Sequence, residues 1–209
     1  MADTSRRRRA NGEASRSKIL DAATEIASER GYEGTSINLV SKRCGLPASS
    51  IYWHFADKDD LIAAVIERSF GRWLSAWNMR EDGTPRDRVA EMAMQVAKAL
   101  LESPDFLRLG LMLALERRPV EPRAREMYLQ VRAQAQNQLR EAAMDISPDL
   151  DAAALDQLAT YAMAGADGLF IAKEIGGDSV DLPAMFDLHG RMVIDAALQL
   201  AEATRDEDS

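Results

Sequence analysis

Thr35 to Leu61 reads TSINLVSKRCGLPASSIYWHFADKDDL, and this stretch decides the fold. Thr35 or Ser36 offers a hydroxyl cap for a short helix whose Ile37, Val40 and Cys44 share one face. Gly45 supplies a turn, because glycine tolerates positive φ without a steric cost. Pro47 suits a helix start, and the next short helix runs to about Phe55 with Ile51 and Phe55 facing inward. Asp57 is placed to cap a further helix through Leu61, Val65, Phe70, Trp73 and Trp77. Two short helices joined by a tight turn form a helix-turn-helix. In that motif the first helix positions the second in the DNA major groove.

The residues on the second helix suit that purpose. Ala48, Ser49, Ser50 and Trp53 lie at or beside its exposed face, where small hydroxyl groups reach base edges without steric conflict. Thr35, Ser36, Tyr52, His54 and Lys58 carry donors or charge suited to phosphate oxygens.

Working outward, Arg16 to Gly31 has helical apolar spacing through Ile19, Leu20, Ala23, Ile26 and Ala27, and Gly31 reads as its stop. Residues 1–14 are polar, small or basic, with Arg6-Arg7-Arg8-Arg9, and are expected to be a disordered basic tail. That tail has three readings: a minor-groove arm, a non-specific phosphate attractor, or an inert solvated segment. Beyond Pro85 the apolar periodicity predicts helices through Val89 to Leu101, Phe106 to Leu115, Met127 to Met144, Leu155 to Phe170 and Phe186 to Leu200. Ser147-Pro148 is expected to open the fourth of these. The class is all-α, with about nine helices and no strand. The expected domains are a reading head over 15–75, with its helix-turn-helix at about 36–55, and a second helical domain over 76–209.

The net charge of −8 over 209 residues argues against nucleic acid only if it is spread evenly. Residues 1–58 carry +3 and the remainder −11, an asymmetry that can mark a nucleic-acid-binding end. The single cysteine, Cys44, precludes an internal disulfide, and packing is its plainer role than redox sensing. One cysteine and two histidines supply too few donors for a transition-metal cluster, and no cofactor is expected. No apolar run approaches the roughly 18 residues a membrane span needs, so a cytoplasmic protein is expected.

The combination Ile19-Leu20-Asp21-Ala22-Ala23, Gly31-Tyr32, Thr35-Ser36-Ile37, Cys44-Gly45-Leu46 and Ile51-Tyr52-Trp53-His54-Phe55, followed by Lys58 and Leu61, resembles the N-terminal domain of the tetracycline-repressor (TetR) family. The resemblance covers Arg16 to Leu61. It implies a homodimeric transcriptional regulator whose last two helices form a four-helix interface. Such a protein would bind double-stranded DNA at a palindromic operator and release it when a small molecule enters the C-terminal domain. Pro47, Ser41 and Cys44 depart from the family's habit of a hydroxyl cap and small alanines.

The second domain offers two residue sets. Trp73, Trp77, Phe106, Met112, Met127, Tyr128, Tyr161 and Phe170 could line an apolar ligand cavity, or be ordinary core. Gly165 and Gly168 each cost a helix about 1 kcal/mol relative to Ala, which close packing at a dimer interface would offset; a loose helix is the alternative. His189, Met192 and Ala196 on the last helix would share that interface, and a satisfied core or interface histidine is the plainer reading of His189 than a ligand or metal residue. An enzyme in this domain finds no support, because the chain has no nucleophile-base pair and no glycine-rich phosphate loop. The alternative regulator is a structural DNA-binding protein without a ligand.

Overall fold

The computed structural model describes residues 2–75, 82–116 and 122–207. Among these residues there are nine α-helices and no strand. They are α1 (Ala2–Gly34), α2 (Ile37–Cys44), α3 (Ala48–His54), α4 (Lys58–Ser75), α5 (Pro85–Glu102), α6 (Asp105–Leu115), α7 (Arg123–Ile146), α8 (Ala152–Gly176) and α9 (Leu182–Glu207). A 3₁₀ turn, Gly177–Ser179, follows α8. Trp77, a candidate pocket residue, lies outside the described residues.

The chain divides into two compact units, and the division differs from the expected boundary at 75/76. The first unit is residues 1–72 together with 105–131, and the second is 73–104 with 132–209. A contiguous cut fails because α6 packs on α1 and carries its apolar face into the first core.

In the first unit Ile19, Leu20, Ala23, Ile26 and Ala27 of α1 are buried, as their spacing requires. They are joined in the buried set by Val40, Ile51, Leu61, Ile62, Val65, Ile66 and Phe70, and by Leu109 and Leu113 of α6. Phe106 stands between Phe70 and Tyr128, with ring centroids 5.7 and 6.0 Å apart. Helix geometry is interrupted at Gly31, whose φ of 68° and ψ of −175° end the regular part of α1 where the sequence places a stop. The other end of α1 departs from expectation. The segment expected to be disordered continues the helix back to Ala2, in keeping with the good helix propensity of Arg and Ala.

In the second unit α9 packs on both α5 and α8. Ala143, Leu150, Leu155, Leu158, Ala197 and Ala201 form one buried cluster there. Helix α5 starts with a capping box. The Thr84 hydroxyl accepts from Asp87 N, and the Asp87 carboxylate accepts from Thr84 N. Helix α8 starts later than the Ser147-Pro148 dipeptide suggests. That dipeptide makes a turn closed by Leu150 N to Ser147 O, and the Asp151 carboxylate then caps α8 through Ala154 N. Polar contacts join α7 to α8 along their length. Arg132 meets Asp167 in a two-pronged pair at 3.0 and 2.7 Å, Gln136 meets Thr160, and Arg140 meets Asp156.

Candidate nucleic-acid interface

Helix α3 has seven residues, too few to persist alone, so its position depends on the turn before it and the burial beneath it. Gly45 adopts φ 69°, ψ 19°, and its N–H donates to Ser41 O. The Ser41 hydroxyl donates to Leu46 O at 2.7 Å, which braces the turn on its far side. Ser41 therefore supplies a bond that an alanine there would lack. Pro47 occupies the cap position with no side-chain hydrogen bond, as its ring dictates. Ile51 and Phe55 are buried under the helix.

The opposite face is open. Ser49, Tyr52 and Trp53 are exposed, and Ala48 and Ser50 are half-buried. Trp53, 76% exposed, is among the most exposed large apolar side chains described, an arrangement that wastes apolar area unless something covers it. The four base-contact candidates thus share one helix, and the structure adds no residue to them.

The phosphate candidates divide. Ser36, not Thr35, caps α2. Its oxygen accepts from Leu39 N, which leaves the exposed hydroxyl proton free to be donated outward. Thr35 is a correction to the sequence expectation. It is 2% exposed, and its hydroxyl donates to Gly31 O at 2.8 Å, closing the kink rather than facing solvent. Tyr52 stays exposed.

His54 has a defined role. The Ser15 hydroxyl lies 2.9 Å from Gly12 O and 2.8 Å from His54 Nε2, so Nε2 is engaged within the reading head. Nδ1 is the ring nitrogen left for any outward contact. Burial, then the nearby Arg16 charge, holds the His54 pKa below its ordinary value, which favours the neutral form. Arg16 itself is exposed and lies over the Phe55 ring at 5.4 Å. It is a cation at the edge of the site that motif spacing did not single out. A helix-start arginine looks like any solvated charge in the sequence.

Lys58 is also turned inward. Its ammonium donates to Tyr32 O at 3.2 Å, lies 4.2 Å from the Tyr32 ring centroid and pairs with Glu33 at 3.6 Å. Asp57 caps α4 as the sequence predicts, accepting from Asp60 N at 2.8 Å.

The aromatic and methionine set does not gather into one pocket. Phe106 and Tyr128 pack ring to ring at a tilt in the first unit, where Met127 is half-buried and Met112 lies against Gly31. Phe170 is core of the second unit, and Trp73 is half-buried there. Tyr161 is exposed and lines an open groove with Gln157, Leu158, Ala196, Gln199 and Leu200. Two of the interface candidates are engaged within the chain. A methyl group on Gly165 would overlap the His189 ring, and His189 Nε2 lies 2.8 Å from Ala162 O. Gly165 thus makes room for a satisfied histidine between α8 and α9. Among the described residues no group of three His, Cys, Asp or Glu could hold a metal ion, and no helix is long and apolar enough to cross a membrane.

Residues 19–65 match the family model described as bacterial regulatory proteins, tetR family. Over 99 residues the chain is 30% identical to the HTH-type transcriptional repressor Rv1353c of Mycobacterium tuberculosis, covering 47% of this chain and 38% of that protein. Over 62 residues it is 39% identical to the HTH-type transcriptional regulator UidR of Escherichia coli, covering 28% and 32%. The chain thus spans well under half the length of these relatives. A solved transcriptional regulator from Rhodococcus sp. Rha1 superposes with a TM-score of 0.72 at 20% identity, over 88% of this chain and 96% of that one, which establishes the shared fold.

Proposed function

We propose that this chain, which belongs to the tetR family of bacterial regulatory proteins, is a cytoplasmic repressor that binds a palindromic operator as a homodimer and lets go when a small molecule binds its helical domain. The observation that carries the reading is the two-faced α3. Ile51 is anchored beneath it, while Ser49, Tyr52 and Trp53 stand exposed above. Ser36, Tyr52 and Arg16 are the phosphate contacts this arrangement favours. Ala48, Ser49, Ser50 and Trp53 are the base readers.

The dimer reading is supported by α8 and α9. Tyr161, Ala164, Gly168, Ile171 and Ile175 recur at intervals of three and four residues, and all are exposed. Ile175 is 83% exposed. Met185, Leu188 and Met192 continue the pattern on α9. Such stripes are left over when a four-helix interface is cut in half. Gly168 fits it best, since a methyl group there would meet no atom of the protomer within 4 Å. Met192 and Ala196 stay candidates for this face, whereas Gly165 and His189 serve the protomer.

Selection from random duplex DNA tests the operator reading. Enrichment of an inverted repeat with half-sites about 34–36 Å apart is expected. Enrichment of asymmetric sequence, or none, would overturn it. Sedimentation tests the dimer. Gly168→Leu should leave the protomer folded and raise the dimer dissociation constant at least tenfold, about 1.4 kcal/mol. An unchanged constant would remove α8 from the interface.

A further inference from the structure

The first turn of any α-helix carries amides with no acceptor inside the helix. Helix α7 begins directly after Pro122, which has no side-chain acceptor to offer. Its acceptor comes from 64 residues away. The Asp59 carboxylate on α4 takes Arg123 N at 2.6 Å through Oδ2 and Ala124 N at 3.2 Å through Oδ1. A negative group there also meets the positive end of the α7 dipole. The Arg123 guanidinium returns to the same turn of α4, at 3.1 Å from Asp57 and 3.8 Å from Asp60.

Asp59 has a second commitment. Its Oδ1 accepts from the Tyr32 hydroxyl at 3.1 Å. Tyr32 is the residue directly after the Gly31 kink, and its carbonyl receives both Thr35 N and Lys58 Nζ. One carboxylate thus joins three points. They are the start of α4 directly after the recognition helix, the α1–α2 junction that sets the positioning helix, and the first turn of α7.

We propose that Asp59 is a positioning residue that couples the DNA-reading helices to α7, so that a shift of the α7 N-terminus and a shift of the reading head each bias the other. This rests on the DNA-binding reading above. Coupling of this kind is reciprocal, so DNA itself serves as the probe and the small molecule need not be known. A carboxylate that only capped α7 would not report what happens at α3.

The experiment is deuterium exchange at the Arg123 and Ala124 amides of the full-length protein, with and without the selected operator duplex. In the wild type, operator should slow exchange there at least threefold. In Asp59→Ala exchange should be fast, and the operator should no longer change it, although the operator still binds. Asp59→Glu, which keeps the carboxylate, should restore part of the response. If Asp59→Ala impairs folding, Tyr32→Phe is the second variant. It removes only the phenol tie and should reduce the operator effect while α7 stays capped. A wild type that binds operator with no change at these amides would overturn the proposal. So would an operator effect of equal size in folded Asp59→Ala, or in Tyr32→Phe. Failure of the wild type to bind any operator would instead count against the DNA-binding reading.

Discussion

Replacing Ile51 by Ala is expected to lower stability by about 3 kcal/mol, within the roughly 2–5 kcal/mol range for deep aliphatic truncations, and to weaken operator binding at least tenfold. Ile51 has no exposed surface and is the one fully buried side chain of α3. A seven-residue helix has no independent stability, so its contacts with α1 and α2 hold it in place. Truncation therefore removes transfer energy, leaves a cavity and loosens the helix that carries the base readers. Denaturant unfolding of the full chain should show a lower midpoint with an unchanged slope. Ser49→Ala is the matching control. Ser49 lies exposed on the same helix, so stability should move by less than about 0.5 kcal/mol while sequence preference changes. A loss below 1 kcal/mol for Ile51→Ala would mean that α3 is held in some other way.

The same residues show what the sequence makes legible. Turn and cap chemistry is local, so Gly31, Gly45 and Asp57 were readable from one window each, and the structure gives them φ 68°, φ 69° and a cap bond. Thr35 and Ser36 were not separable that way. Either hydroxyl could cap α2, and only the fold shows that Thr35 is buried with its hydroxyl on Gly31 O while Ser36 takes the cap. Ser147-Pro148 is a good helix opening on propensity, but the turn it makes leaves Asp151 to cap α8. Periodicity shows that aromatics share a helix face but not what covers that face, so Tyr161 could not be told from Phe170. The Asp59 cap was invisible for a different reason. No local pattern marks a carboxylate whose partners are 64 and 65 residues away. His189 likewise explains the helix-breaking Gly165 only after α9 is laid on α8.

Gly110→Ala is expected to be the most damaging single-methyl change in the first unit, costing about 2–3 kcal/mol. Taken alone, alanine should favour α6 by about 1 kcal/mol, because glycine is the poorer helix former. Packing reverses that sign. A methyl group at position 110 would overlap three ring atoms of Tyr128, and Tyr128 has no exposed surface into which it could retreat. The ring also packs on Phe106, which in turn packs on Phe70. Moving Tyr128 therefore disturbs the stack between α4, α6 and α7. The size of the ring is the cause, so shrinking it should relieve the damage. In Gly110→Ala with Tyr128→Leu, the loss should be smaller than the sum of the two single losses by at least 1 kcal/mol. Contacting residues show couplings of this size, and distant ones do not. The measurement is the unfolding free energy of the four proteins of the cycle. Additive losses, or a Gly110→Ala protein as stable as the wild type, would show that α6 and α7 do not approach as closely as Tyr128 and Gly110 require.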